Sequence, residues 1–74
     1  MLSPAFIRKV ERLDADGLKN LLGQLVGAEE RARVRFARSR SVKDGERQAR
    51  LRHEIAETRM RLRMLPQEVS RNDG

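Results

Sequence analysis

The stretch RSRSVKDG at residues 38–45 decides the fold, because it separates two long segments with helical patterns. Serines and the Asp44-Gly45 pair are typical of turns. We therefore expect one helix to end near Arg38 and the next to begin at Glu46. Two long amphipathic helices with one short connection fold back on each other. The sequence thus predicts an all-α protein built on an antiparallel helical hairpin.

Both segments beside this turn carry apolar residues at helical spacing. Before the turn these positions are Leu18, Leu21, Leu22, Leu25, Ala28, Ala32 and Phe36. After the turn the positions are Leu51, Ile55, Thr58, Leu62 and Leu65. This second set alternates by four and three, which is typical of a coiled-coil seam. Pro66 then ends the helix, so residues 1–66 form the predicted single domain and residues 67–74 a flexible tail.

A short helix is expected before the hairpin. Ser3 can cap its first amides, and Pro4 suits the first helical position. Its apolar stripe is Phe6, Ile7, Val10 and Leu13. Either Asp14 or Asp16 can then cap the second helix. We expect the short helix to lie across the open end of the hairpin.

Two glycines in the second helix have two interpretations. Gly23 and Gly27 each cost about 1 kcal/mol relative to alanine in a helix. They are either tolerated weak positions or places where another backbone or a phosphate approaches closely. The second helix also offers Glu29 and Arg33 as an ion pair at four-residue spacing.

The size and composition limit the classes of protein. The 74 residues contain no cysteine, which excludes disulfides and thiolate metal sites. So small a chain gains little from its core alone, and we expect a partner, a second copy or RNA to stabilise it. No apolar run approaches the roughly 20 residues that span a bilayer. The beginning of the chain lacks the pattern of a signal peptide, so we expect a cytoplasmic protein.

Positive charge is concentrated in one half of the chain. Twelve of the thirty-three residues at 31–63 are basic and four are acidic, whereas the whole chain has a net charge of +6. Several basic residues repeat at four-residue spacing, including Arg31 with Arg35 and Arg59 with Arg63. Such pairs repel each other unless an anion lies between them. The pattern favours binding to a polyanion, and a solvated basic surface is the alternative.

Catalytic and metal-binding patterns are weak, so we expect no enzyme activity and no cofactor. The single histidine, His53, lies off the apolar seam and has no cysteine to activate. Glu54 and Glu57 share a helix face but lack an accompanying Glu-x-x-His pair. Ion pairs of Arg50 with Glu54 and of Glu57 with Arg61 are a simpler use for these carboxylates. The absence of tyrosine and tryptophan argues against base stacking on single strands.

Motifs at four places within residues 13–65 carry a family resemblance. They are Leu13-Asp14 before Leu18 and Leu21, Arg35-Phe36 before Ser39, the run LRHEIA at residues 51–56, and Leu62 with Leu65. In this pattern the chain resembles the family of large-subunit ribosomal protein twenty-nine, a two-helix hairpin on ribosomal RNA near the polypeptide exit. The resemblance implies the same fold and ribosomal RNA as the partner.

The first functional hypothesis is therefore a non-enzymatic hairpin that binds the backbone of structured RNA. The residues assigned to phosphates around the turn are Arg33, Arg35, Arg38, Arg40, Lys43, Arg47, Arg50 and Arg52. The second hypothesis is an interaction protein, either a homodimer or a small adaptor or inhibitor of the kind phages encode. In that case the seam from Leu51 to Leu65 faces another protein and the arginines contact an acidic surface. We expect no membrane partner, because the basic helices lack aromatic anchors.

Overall fold

Every regular element in the described part of the chain is an α-helix. The computed structural model describes residues 2–65, with α1 at Pro4–Glu11, α2 at Ala15–Ser39 and α3 at Val42–Met64. Helices α2 and α3 pack against each other, and α1 packs mainly on α3. The predicted all-α class is confirmed. The expected stop at Pro66 and the tail at residues 67–74 lie outside the described residues.

The first two helices begin where their capping residues predict. The Ser3 hydroxyl accepts a hydrogen bond from the Phe6 amide at 3.2 Å, and Pro4 takes the first position of α1. Of the two aspartates that suit the next cap, Asp14 is the one used, and its carboxylate accepts from the Gly17 amide at 2.8 Å. Each side chain satisfies a backbone donor that has no partner within its helix.

The break between α2 and α3 lies within the predicted stretch but is shorter than predicted. Only Arg40 and Ser41 separate the helices, so the expectation that α3 begins at Glu46 is wrong. The Ser41 hydroxyl accepts from the Asp44 amide and caps α3, which therefore starts at Val42. Arg40 ends α2 in the left-handed region at φ 56°, a conformation more usual for glycine.

Gly45 is a helix residue that makes room for an aromatic ring. A Cβ atom at this position would lie 3.0 Å from the ring of Phe36. The ring of Phe36 therefore packs directly over the backbone of α3, and its own side chain is half-buried. In sequence the Asp44-Gly45 pair is typical of a turn. In the structure Gly45 is a helical residue instead, and its missing side chain leaves room for the ring of Phe36.

The hydrophobic core lies toward the end of the α2–α3 pair that is remote from the connection. Its buried side chains are Phe6, Val10, Leu18, Leu21, Leu25 and Ile55, so all three helices contribute. The predicted seam of α3 packs inward, with Ile55 and Thr58 buried and Leu51, Leu62 and Leu65 packed against the core. Nearer the connection the buried residues are smaller or polar, namely Ala32 and Gln48. The two long helices are therefore held mainly at one end.

No helix within residues 2–65 is long and apolar enough to cross a bilayer. The longest, α2, carries charged residues along its second half.

Replacing Gly23 by alanine is expected to stabilise the protein. Gly23 is an exposed residue of α2, and a methyl group there would meet no atom within 4 Å. The substitution should raise the free energy of unfolding by about 0.5–1 kcal/mol, because alanine loses less backbone entropy in a helix. Urea unfolding followed by circular dichroism measures the change. Gly45→Ala is the comparison, since its methyl group meets Phe36 and should give a smaller gain or a loss. A lower midpoint for Gly23→Ala would contradict this interpretation.

Candidate nucleic-acid interface

The structure distributes the eight predicted binding residues over two faces and the connection between the helices. All eight side chains are exposed. Three of them, Arg35, Arg47 and Arg50, line a groove on one face of the α2–α3 pair. Arg33 and Arg52 lie on the opposite face. The predicted set is therefore not one continuous surface.

The groove on the first face, here called the arginine groove, is a cavity of about 510 Å³ between α2 and α3. Its charged walls are Arg31 and Arg35 from α2, with Arg47 and Arg50 from α3. Its remaining lining residues are Ala28, Ala32, Leu51 and Glu54. Small residues on the α2 side leave the groove open, because neither alanine projects far enough to fill it.

None of the four arginines of the groove has an ion pair within 4.0 Å among residues 2–65. The expected ion pair of Arg50 with Glu54 is absent at this distance, although Glu54 lines the same groove. Glu57 does pair with Arg61, at 2.9 Å, as its spacing predicts. The groove thus brings together four guanidinium groups and a single carboxylate.

The order of contacts along α2 and α3 sets which arginines face each other. Phe36 lies over Gly45, and Glu29 lies beside Gln48 and Arg52. Contacts therefore run in opposite directions along the two helices. Between these two points the backbone of Arg35 comes opposite that of Arg47, and the backbone of Arg31 opposite that of Arg50, while the Arg31 guanidinium lies against Gly27. Continuing in the same direction, Ala28 comes opposite Glu54. The arginine groove thus has two arginines on each wall, and Glu54 lies at its end remote from the connection.

On the opposite face two of the three arginines, Arg33 and Arg52, have acidic partners, and Arg59 has none within 4.0 Å among residues 2–65. Arg33 forms an ion pair with Glu30, which raises the pKa of the Arg33 guanidinium above its ordinary value. The predicted pair of Glu29 with Arg33 is not formed as a contact. Instead the carboxylate of Glu29, only 16% exposed, accepts from the Gln48 amide at 3.1 Å and from Arg52 at 3.4 Å. This face is closer to neutral than the arginine groove, because Glu30 pairs with Arg33 within α2 and Glu29 joins α2 to Gln48 and Arg52 of α3.

Acid is expected to weaken the contact that Glu29 makes between α2 and α3. The hydrogen bond from Gln48 lowers the pKa of Glu29 below its ordinary value of 4.5, with smaller help from Arg52 and opposition from burial. A lowered folded-state pKa means that this stabilisation is complete above pH 4.5 and lost as the pH falls through the folded value. We expect the urea midpoint of the wild type, measured from about pH 7 down to about pH 3, to approach that of Glu29→Gln as the pH falls through the folded-state pKa of Glu29. A gap between the two proteins that stays constant with pH would contradict this role.

Around the connection, the basic residues differ in their surroundings. Lys43 shares a shallow cavity with Arg47 and Arg50, and the carboxylates of Asp44 and Glu46 line the same cavity. Arg40 forms the C-cap of α2, and its amide donates to the Phe36 carbonyl at 2.8 Å. Arg38 is exposed in the last turn of α2. Ser39 is the last residue of α2, and its hydroxyl donates a hydrogen bond to the Asp44 carboxylate of α3.

The groove contains one arginine that the predicted set left out. Arg31 lies in the basic segment and precedes Arg35 by four residues, which places both on the same face of α2. The four-residue spacing of Arg31 and Arg35 is therefore the sequence signal that places Arg31 in the binding set. The same rule separates Arg33 from them, because residues two apart on a helix point to different sides.

Of the side chains considered for catalysis and metal binding, His53 and Glu57 line one shallow cavity, whereas Glu54 lines the arginine groove. Thr58 is fully buried, and its hydroxyl donates to the Glu54 carbonyl of its own helix at 2.8 Å. His53 is exposed on the outer side of α3. Within residues 2–65 no group of three or more His, Cys, Asp or Glu side chains is arranged to hold a metal ion.

No protein-family model, curated protein or solved structure matches this chain in comparisons with known proteins. The resemblance to large-subunit ribosomal protein twenty-nine therefore stays a prediction from the sequence motifs.

Proposed function

We propose that the chain is a non-enzymatic antiparallel helical hairpin that binds the phosphate backbone of structured RNA in the cytoplasm. The observation that carries the proposal is the arginine groove, in which Arg31, Arg35, Arg47 and Arg50 lie together without a partner carboxylate among the described residues. On the opposite face two of the three arginines, Arg33 and Arg52, are paired with carboxylates. The unneutralised face is the one that a polyanion would occupy.

The energetics of like charges support this assignment. Arg31 and Arg35 repel each other along α2, and Arg47 and Arg50 line the other wall of the same groove. Phosphate oxygens accept two parallel hydrogen bonds from a guanidinium group, which converts this repulsion into attraction. Each neutralised phosphate also releases condensed counterions, which is the main source of affinity in backbone recognition. The groove therefore gains more binding free energy from a chain of phosphates than an isolated surface arginine does.

The resemblance and the absence of stacking groups both favour RNA backbone over single-stranded bases. The motif Arg35-Phe36 contributes an arginine to the groove and the ring that packs over Gly45, and the run at 51–56 contributes Leu51 and Glu54 to the groove lining. Two of the four motifs that resemble the ribosomal family thus lie at the proposed contact surface, whereas Leu13, Leu62 and Leu65 of the other two pack against the core. Phe36 is the only aromatic side chain near it and is occupied by its contact with α3.

Titration of a fluorescently labelled RNA stem-loop tests the proposal. Affinity should fall linearly on a plot of log K against log salt, with a slope corresponding to at least two neutralised phosphates, about −1.5 or steeper. An uncharged analogue of the same stem-loop, with methylphosphonate linkages, should bind weakly and without this dependence. Wild-type affinity that is independent of salt, or equal for the uncharged analogue, would refute backbone binding.

In the alternative of a protein partner, the arginines and exposed apolar side chains such as Val34 and Val42 remain as the contact surface. The seam from Leu51 to Leu65 is packed against α1 and α2, so it is not an exposed surface for a second copy. A homodimer would still make the melting temperature rise with protein concentration. Sedimentation equilibrium together with melting at several concentrations separates this alternative from an RNA-binding monomer.

A further inference from the structure

The arginine groove has two features that phosphate binding leaves unexplained. Its floor is apolar and consists of Ala28 and Ala32 from α2 and Leu51 from α3. Its one acidic lining residue, Glu54, has no ion pair within 4.0 Å among residues 2–65. A phosphate gains nothing from apolar surface and is repelled by a carboxylate. Both features therefore suit a part of the ligand other than its phosphates.

The floor of the groove has room for a planar ring. The cavity of about 510 Å³ falls within the range of about 300–1,000 Å³ that small-molecule pockets occupy. Leu51 packs against the core and also lines the groove, so apolar surface is present at its base. The Arg31 guanidinium lies toward the outer side of α2, because its Nη1 is 3.4 Å from the position of a Cβ at Gly27. Gly27 is about 140° around the helix from Ala32, so this guanidinium leaves the floor beside Ala32 uncovered.

Glu54 supplies a hydrogen-bond acceptor that a nucleobase can use and a phosphate cannot. An ionised carboxylate only accepts hydrogen bonds, and its two oxygens accept two parallel bonds from adjacent donors. Phosphodiester oxygens donate none, whereas unpaired bases present N–H donors on the edge that otherwise forms base pairs. Guanine presents two adjacent donors on that edge, at N1 and N2, which match the two oxygens of a carboxylate. Uracil presents a single donor there, at N3, between two carbonyl groups.

We infer that the arginine groove receives one unpaired guanine nucleotide of a structured RNA, with its base on the apolar floor and its pairing edge donating to Glu54. The inference rests on the proposed function and adds which part of the RNA the groove recognises. The base is unpaired because pairing would hide the edge that Glu54 contacts. The arginines of the groove neutralise the neighbouring phosphates, and guanidinium planes stack on extruded bases where aromatic side chains are lacking.

Fluorescence anisotropy with three RNA stem-loops tests the inference. The three RNAs differ only at one site in the stem, which is fully paired, carries one bulged guanine or carries one bulged uracil. The bulged-guanine RNA should bind about tenfold more tightly than the bulged-uracil RNA, the size of a good bidentate contact to a base. The fully paired RNA should bind no more tightly than the bulged-uracil RNA. The log–log salt slope should be nearly equal for all three, because the phosphate contacts are shared.

Two variants separate contact with the base from a general effect of charge. Glu54→Gln should abolish the preference for guanine over uracil, while its affinity for the paired RNA stays equal to that of the wild type or rises. A carboxylate that only repels RNA would instead raise the affinity for all three RNAs when removed and leave the preference intact. Ala28→Leu places a larger side chain on the floor and should lower the affinity for the bulged-guanine RNA to that for the paired RNA.

Each variant has a matched control outside the groove. Glu46→Gln removes one carboxylate from α3, and Ala37→Leu makes the same enlargement on α2. Both residues are exposed and neither lines the arginine groove, so both variants should keep the preference for bulged guanine. Circular dichroism of every variant checks that helicity is kept.

The outcomes separate the inference from the proposed function. Equal affinity of the wild type for all three RNAs, together with steep salt dependence, overturns the nucleotide site and leaves backbone binding in place. A guanine preference that survives in Glu54→Gln overturns the contact with Glu54. A preference that survives in a folded Ala28→Leu protein overturns the position of the base on the floor. Absence of salt-dependent RNA binding in the wild type overturns both the function and the inference.

Discussion

Reversing the charge of Arg35 and Arg47 together is expected to lower affinity for a structured RNA by at least about 100-fold near 0.1 M salt. The two side chains come from different helices and line the same groove. Glutamate at both positions removes two phosphate ligands and directs two negative charges at the strand. The effect should therefore exceed that of neutral substitutions at the same residues.

The matched control is Arg59→Glu with Arg63→Glu, which changes the net charge by the same amount. Both residues are exposed on α3 and neither lines the arginine groove. This control variant should lose no more than a few-fold in RNA affinity, because salt screens charges that lie farther than about 10 Å from the bound phosphates. Fluorescence anisotropy measures both, and circular dichroism should show unchanged helicity. Equal losses in the two variants would mean that only net charge matters and that the groove is not the contact surface.

Charge reversal at Arg35 and Arg47 is easier to interpret than charge reversal at the basic residues near the connection. The sequence alone suggests Arg38 and Arg40 as the residues to reverse, because they lie at the turn. Arg40 has a left-handed backbone and forms the C-cap of α2. A substitution there changes the helix end as well as the charge, so a loss of binding would have two explanations. Arg35 and Arg47 are ordinary helical residues without an ion pair among the described residues.

Capping chemistry and helical spacing predicted the elements well because both are local. Ser3 and Asp14 cap their helices through contacts three residues away, which the sequence contains in full. The inward face of α3 follows from spacing alone, as Ile55 and Thr58 show. Gly45 misled the prediction because its role depends on Phe36, a residue of another helix. Only the packed structure reveals that the glycine accommodates a ring.

The surface charges were less predictable for a related reason. A basic segment in the sequence does not reveal which arginines have acidic partners on another helix. Arg52 is paired with Glu29, which is 23 residues away, whereas Arg50 only two residues earlier lies in the open groove. The distinction depends on the register of α2 against α3. That register is set by the contacts at Gly45 and Gln48, and no local pattern encodes it.

The largest expected effect on stability comes from Leu18→Ala. Leu18 is 1% exposed and belongs to the core cluster to which α1, α2 and α3 all contribute. Truncation of so buried a leucine costs about 3–5 kcal/mol, because the lost contacts and the cavity both count. A domain of this size has a net stability of only about 5 kcal/mol or less, so much of the variant should be unfolded at 25 °C.

Circular dichroism at 222 nm during urea unfolding measures the loss, with Met64→Ala as the control. Met64 is 73% exposed in the last turn of α3, and its truncation should change stability by less than about 0.5 kcal/mol. Unfolding of Leu18→Ala should remove RNA binding as well, since the groove exists only while α2 and α3 are held together. Structured RNA in excess should partly restore its helicity, because a ligand that binds only the folded state shifts the equilibrium toward it. A Leu18→Ala protein that stays within about 1 kcal/mol of the wild type would mean that the core does not hold the two walls of the groove in place.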